Sequence, residues 1–246
     1  MRRLAALCAA LALAPLAPTL AQAASTPLEI EAIDAAKSRK LYLITIEKIA
    51  KDRPLAALAY LDDYDRRHKG DPKASLLRAD CLMRVDERTA AEQVYRTLLS
   101  GGRGKLADVD QGAAWAGLGR VLAARGQWIE AVSALSDAVA KQPVNTAFIS
   151  DLGYAQMMAG DARGAVFRLR QARELAPQDG VARNNLILAL WAAGETREAE
   201  QMLQTLPDPD ERQELRGQIA RRSVGGLTAT SPLTEADLKR PLGAGK

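Results

Sequence analysis

One set of residues recurs along this chain every 34 positions, and it constrains the fold more than any other feature. Gly126, Gly160 and Gly194 lie 34 residues apart. Three further sets keep the same spacing: Ala131, Ala165 and Ala199; Leu135, Leu169 and Leu203; and Leu118, Leu152 and Leu186. A period of 20–50 residues is typical of chains in which one small structural unit is stacked on the next. Such a unit cannot bury its apolar face alone, so each unit needs a neighbour.

The composition predicts that these units are helical. Ala, Leu, Arg and Glu dominate, while aromatic residues make up only 4% of the chain. The four abundant types lose little conformational freedom in a helix, so we expect an all-α fold. The net charge of +4 is small and dispersed along the sequence, which argues against a nucleic-acid partner.

The pattern resembles the tetratricopeptide repeat, whose period is 34 residues and whose unit is two antiparallel helices. Leu-Gly pairs at 118–119 and 152–153, and prolines at 143 and 177, fall where that repeat places them. The clearest units are 112–145, 146–179 and 180–213, and weaker units span 38–71 and 72–105. The resemblance implies a solenoid of about five repeats over residues 38–222, in which the charged segment "DPDERQELRGQIARR" forms a C-terminal capping helix.

The small residues of this repeat have physical roles that do not require a ligand. Gly153 and Ala165 allow two helices to approach closely, and Gly160 suits a helix end that needs a left-handed backbone. Pro177 prevents the second helix of its unit from continuing.

The two ends of the chain differ from the repeats. Residues 1–23 combine Arg2 and Arg3, a short apolar run and a terminal Ala-Gln-Ala, which together predict a cleaved secretory signal and a periplasmic protein. Residues 24–37 are expected to be a lead-in. Residues 223–246 lack apolar periodicity and are expected to be disordered.

No group of residues predicts catalysis, a cofactor or a metal site. His68 is the only histidine and has no partner at the spacing of a zinc or Ser-His site. Cys81 remains alone after removal of the signal, which contains Cys8, so we expect a buried apolar residue. "GGRGKL" at 101–106 lacks the further glycine and the Ser or Thr of a phosphate loop, and is interpreted as an inter-helix loop. The chain is therefore predicted not to be an enzyme.

The repeat resemblance also implies where a protein partner would bind, because the first helix of each unit lines a groove in that family. The groove positions of this chain carry mostly apolar and aromatic side chains with a few polar ones, which suits a peptide or helix. The predicted partner-binding residues are Arg120, Ser150, Tyr154, Met157, Met158, Asn184, Leu188 and Trp191.

Residues 148–203 resemble the TadD-type proteins of Flp (tight-adherence) pilus assembly. The resemblance rests on Asp-Leu-Gly-Tyr at 151–154, Ala-Pro-Gln-Asp at 176–179 and Asn-Asn-Leu at 184–186. It implies an exported scaffold that helps to assemble a pilus or its outer-membrane secretion pore, with peripheral outer-membrane association left open. The alternatives are an assembly factor for exopolysaccharide export or cytochrome maturation, and, least favoured, an enzyme supported by repeats.

Overall fold

The computed structural model describes residues 27–101 and 106–224, and within these ranges every regular element is an α-helix. The all-α prediction is confirmed. The described helices are α1 (Pro27–Asp52), α2 (Pro54–Arg67), α3 (Pro72–Arg84), α4 (Arg88–Leu99), α5 (Asp108–Ala124), α6 (Trp128–Lys141), α7 (Thr146–Met158), α8 (Ala162–Leu175), α9 (Gly180–Ala192), α10 (Thr196–Gln204) and α11 (Pro209–Val224).

The chain divides into two units, residues 1–41 and 42–246. In the first unit the structure describes only the helical residues 27–41 at the beginning of α1. Eleven residues of the expected lead-in, 27–37, are thus helical. The predicted signal at 1–23 lies outside the described residues, as do 225–246 of the predicted tail and 102–105 of the loop.

In the second unit the helices form consecutive antiparallel pairs that stack on one another. Each helix from α2 to α10 packs against the next one along the chain, and the first helices of neighbouring pairs, such as α7 and α9, also contact each other. Buried Ala and Leu side chains fill the layer between paired helices. This part of the chain is a helical-repeat solenoid.

Side-chain caps explain where several helices begin. The carboxylates of Asp71, Asp161 and Asp179 and the amide oxygen of Asn145 each accept a hydrogen bond from a backbone N–H in the first helical turn. The first N–H groups of a helix have no partner within it, so such acceptors determine its start.

The turn between paired helices uses the recurring glycine as predicted. Gly126, Gly160 and Gly194 have φ values of +75°, +96° and +82°. The residue after each glycine donates its N–H to a carbonyl five positions earlier: Gln127 to Leu122, Asp161 to Gln156, and Glu195 to Leu190. This left-handed helix ending is one that glycine adopts at little cost.

The turn between α3 and α4 has the same geometry without the glycine. Asp86 occupies the corresponding position with a φ of +65°, and the N–H of Glu87 donates to the carbonyl of Leu82 at 2.9 Å. Asp tolerates the left-handed region better than most residues, although less well than glycine. Helices α3 and α4 therefore form the same type of helix pair despite a weaker sequence match.

The Leu-Gly pairs mark close helix contacts. A Cβ placed on Gly153 would lie 2.7 Å from Cγ of Leu169, and one on Gly119 would lie 2.6 Å from Cγ of Leu135. The expectation that Gly153 allows close approach is confirmed. Gly117 has a similar role that the sequence did not reveal, because the Tyr95 ring lies where its Cβ would be.

Candidate partner-binding surface

The predicted groove corresponds to a layer formed by the first helices of the repeats. One repeat position places Asp80 on α3, Arg120 on α5, Tyr154 on α7, Leu188 on α9 and Arg222 on α11. We call these five residues the groove row. The first helices of neighbouring units contact each other, so the groove row runs along one layer of the solenoid.

Three of the predicted binding residues are buried, and this corrects the expectation that they face a partner. Ser150, Met157 and Leu188 are 0%, 2% and 4% exposed. The Ser150 hydroxyl accepts a hydrogen bond from the Asn185 amide at 3.2 Å. Ser150 and Leu188 lie where first helices pack against one another, so their side chains belong to the core. Met157 is covered in part by Arg222 of the capping helix, whose Nη1 lies 3.3 Å from its sulfur.

The other five predicted residues are partly exposed: Arg120, Tyr154, Met158, Asn184 and Trp191. Tyr154, Met158 and Trp191 rest on the buried core with part of each side chain outside it. Asn184 donates its amide N–H to Glu211 on α11 at 2.8 Å. Partner binding by these side chains stays a prediction.

A polar group occupies the α3–α7 part of the layer. Arg120 forms an ion pair with Asp151, in which Nε and Nη2 lie 2.8 Å and 2.6 Å from the same carboxylate oxygen. Both side chains are mostly shielded from solvent, which strengthens the pairing relative to a surface ion pair. This ion pair joins the first helices of two successive repeats.

Asp80 lies next to this ion pair and has an altered acidity. Its carboxylate accepts a hydrogen bond from the Tyr95 hydroxyl at 2.6 Å. Burial raises the pKa of Asp80 to about 7, while the Tyr95 hydrogen bond and the charges of Arg120 and Arg84 act in the opposite direction. Burial, followed by the Asp80 charge, also raises the pKa of Tyr95 well above 10. A carboxylic acid that titrates near neutrality thus lies in the first-helix layer.

The C-terminal part of the layer is contacted by the chain's own capping helix. Arg222 donates from Nη2 to the Tyr154 hydroxyl at 3.2 Å and from Nη1 to the Met157 sulfur at 3.3 Å. Its guanidinium carbon lies 5.7 Å from the centre of the Tyr154 ring. Arg222 lies 34 residues after Leu188, so the repeat spacing places it in the groove row, but the spacing does not reveal that its side chain contacts Tyr154.

Cys81 and His68, the residues whose chemistry is most often catalytic, are packed against neighbouring side chains. Cys81 is buried, and burial, together with the nearby Asp80 charge, raises the pKa of its thiol to about 11. A thiol with that pKa is a poor nucleophile at neutral pH. The His68 ring packs at 4.7 Å from the Tyr64 ring. In the described ranges no three His, Cys, Asp or Glu side chains are grouped as a metal would require.

Helix α8 carries four arginines, Arg163, Arg168, Arg170 and Arg173, whose charge is partly neutralised. Arg170 pairs with Glu195 and Glu198 at 3.1 and 2.7 Å, and Arg168 lies over the exposed Phe167 ring. None of the described helices has the length and apolar character needed to span a bilayer.

Comparisons with known proteins agree with the repeat geometry. Residues 156–220 match the Tetratricopeptide repeat family model TPR_19. A search of curated proteins finds no significant match to the sequence.

Several solved structures share the fold. MamA from Desulfovibrio magneticus RS-1 is 20% identical, with 73% of this chain and 96% of that chain covered at a TM-score of 0.56. A Podosopora anserina structure described as kinesin light chain nearly identical TPR-like repeats is 17% identical to this chain. The match covers 74% of this chain and 96% of that chain at a TM-score of 0.55. YrrB, described as a TPR protein with an unusual peptide-binding site, is 18% identical, covering 80% and 97% at a TM-score of 0.53.

Identities this low show the fold alone. The described part of the chain thus shares the stacked-helix architecture of these structures. Residues 156–220 thus match the tetratricopeptide repeat family, and the described helices outside them share the fold of solved structures with TPR-like repeats.

Proposed function

We propose that this chain is an exported scaffold that binds a protein partner through its first-helix layer during assembly of a Flp/Tad pilus or its outer-membrane secretion pore. The observation that carries the binding proposal is the mixed character of that layer. Among tightly packed Ala and Leu residues, it keeps the Arg120–Asp151 pair and the partly exposed Tyr154, Met158 and Trp191. Polar anchors beside adaptable apolar side chains are typical of peptide-binding surfaces.

Export is supported by the sequence of residues 1–23, and the pilus role by the resemblance of residues 148–203 to TadD-type proteins. An assembly factor for exopolysaccharide export or cytochrome maturation is the second candidate, because the same layer and the same signal would serve it. The two candidates predict different defects when the protein is absent: loss of pilus assembly, or loss of polysaccharide export or cytochrome maturation.

A deletion in the native host tests the proposal. We expect loss of surface pili and of assembled secretion pores, with restoration by the full chain and no restoration by a chain that lacks residues 2–23. Mature protein recovered from the periplasm should begin at Ala24. Intact pili together with failed polysaccharide export or cytochrome maturation would contradict the pilus role and support the alternative.

A further inference from the structure

The capping helix α11 is held firmly by its first two-thirds. Leu215 is buried against the repeat core, and Ile219 packs against the same cluster. Glu211 accepts hydrogen bonds from Arg183 at 2.6 Å and from Asn184 at 2.8 Å, and Arg216 pairs with Glu200 at 2.8 Å. These contacts fix the direction of the helix, so its last turn projects Arg222 towards α7.

The Arg222 guanidinium enters a site made from one repeat. Tyr154 supplies a ring face and a hydroxyl acceptor, and Met157 supplies a sulfur acceptor. Trp128 packs edge-on against the Tyr154 ring at 6.2 Å between centroids, which restrains the orientation of that ring. A planar guanidinium can lie over a ring and donate several hydrogen bonds at once, which a lysine ammonium does less well.

The contacts of Arg222 differ from those of the other arginines on α11. Arg216 pairs with a carboxylate, and Arg212 donates to the carbonyl of Leu206. The ion pairs of the described residues include none to Arg222, so its positive charge is met by aromatic and neutral acceptors. A cation–π contact of this kind contributes about 0.5–1 kcal/mol at a partly exposed site, so another cation can displace it.

We propose that Tyr154 and Met157 form a guanidinium-binding site that Arg222 fills in the free chain and that an arginine of the partner protein fills in the complex. The inference rests on the proposed partner-binding role of the first-helix layer and adds the chemistry of recognition. Arg222 then acts as an internal competitor. Since the competent state is only partly populated, the apparent affinity for the partner is reduced until Arg222 leaves.

The probe for this site is the peptide QIARRSV, the chain's own residues 218–224, with a second version that carries citrulline in place of the second arginine. Citrulline keeps the shape of arginine and removes its charge. Binding to the ¹⁵N-labelled chain is followed by amide chemical shifts at millimolar peptide. The proteins are wild type, Arg222→Ala and Arg221→Ala, the last being the control that removes one exposed charge from the same turn.

We expect Arg222→Ala to bind the arginine peptide about fivefold more tightly than wild type or Arg221→Ala, which corresponds to about 1 kcal/mol. The citrulline peptide should bind Arg222→Ala about fivefold more weakly. Adding Tyr154→Leu should abolish the preference for arginine. Equal binding by Arg222→Ala and Arg221→Ala, equal binding of the two peptides, or no shifts in the α7 amides would overturn the proposal.

The outcome is separable from that of the proposed function. Photo-crosslinking from Met158 reports whether a partner occupies the layer, whatever its chemistry. Capture from Met158 together with indifference to citrulline would overturn the guanidinium site and leave the scaffold role standing. A preference for arginine over citrulline without any capture from Met158 would establish the guanidinium site and contradict its use by a partner.

Discussion

Glycine and aspartate at single positions determine much of the repeat geometry. Gly153 accommodates Leu169, and Gly160 ends a helix with a positive φ. Both roles follow from the 34-residue spacing and the sterics of a missing Cβ, so the sequence was sufficient to predict them.

Replacing Gly153 with alanine should destabilise the protein by about 2 kcal/mol, because the new methyl would lie 2.7 Å from Leu169 Cγ in a packed core. Gly180→Ala is the matched control. Its Cβ would meet only the flexible Arg183 guanidinium, at 3.4 Å. Urea unfolding measures both free energies. Equal effects of the two changes would contradict the packing role of Gly153.

Asp86→Gly should stabilise the protein by about 0.5–1 kcal/mol, because glycine adopts the φ of +65° with less strain. The ion pair between Asp86 and Arg88 is largely exposed and contributes little. Asp86→Ala removes the same carboxylate without easing the backbone and should not stabilise. Thermal unfolding of both variants checks this prediction. An Asp86→Ala variant that is stabilised as much as Asp86→Gly would refute the backbone explanation.

Asp80 should make stability depend on pH. In the unfolded chain an aspartate titrates near pH 4, whereas the folded pKa is raised to about 7. Below about pH 4 both states bind the proton. Between about pH 4 and 7 only the unfolded state loses it, so stability falls as pH rises.

Asp80→Asn lacks this titration and should gain stability relative to wild type between pH 4 and 8, on the order of 2 kcal/mol. The exposed Asp137→Asn variant controls for removal of one carboxylate. Urea unfolding across this range measures the difference. A pH-independent difference between wild type and Asp80→Asn would show that Asp80 has an ordinary pKa.

The Asp80–Tyr95 pair could not be predicted from the sequence. The periodicity does not report which side chains meet across two helices. Asp86 was hidden for a related reason, because it replaces the glycine that marks the other turns. The sequence predicts which positions repeat, whereas only the three-dimensional packing shows which side chains contact each other.

At the scale of elements, the two ends of the solenoid differ most from expectation. The repeat spacing predicts that the first unit begins at residue 38, yet α1 begins at Pro27, because Ala, Leu, Glu and Lys between 27 and 37 favour helix independently of the repeat. The capping helix was expected from its charge pattern. Its last turn, with Arg222 over Tyr154, was not, because a contact between α11 and α7 has no sequence signature.

Leu215→Ala should loosen α11 without unfolding the central repeats. The side chain is buried, and its loss removes about 2–3 kcal/mol from the docking of the helix. In a solenoid each unit depends mainly on its neighbours, so the effect should stay local. Hydrogen exchange should accelerate in α11 and remain unchanged in α5 and α6. The exposed Gln213→Ala is the control, and uniform acceleration along the chain would contradict local docking.

At the scale of the whole molecule, the fold class followed from period and composition, and the partner did not. Three predicted groove residues proved to be core, because the same positions that face a groove also lie between adjacent first helices. Leu188 and Ser150 show this most clearly. The five partly exposed residues, with Asp80, Asp151 and Arg222, define the surface on which a partner would act.

The most direct test of partner binding is photo-crosslinking in the native host from a photoreactive residue at Met158, compared with one at Ser133 on α6. Met158 lies in the first-helix layer, whereas Ser133 is exposed on a second helix. The account predicts that a pilus or secretion-pore component is captured from Met158 and is absent from the Ser133 sample. Equal capture of the same protein from both positions, or capture from Ser133 alone, would contradict binding through the first-helix layer.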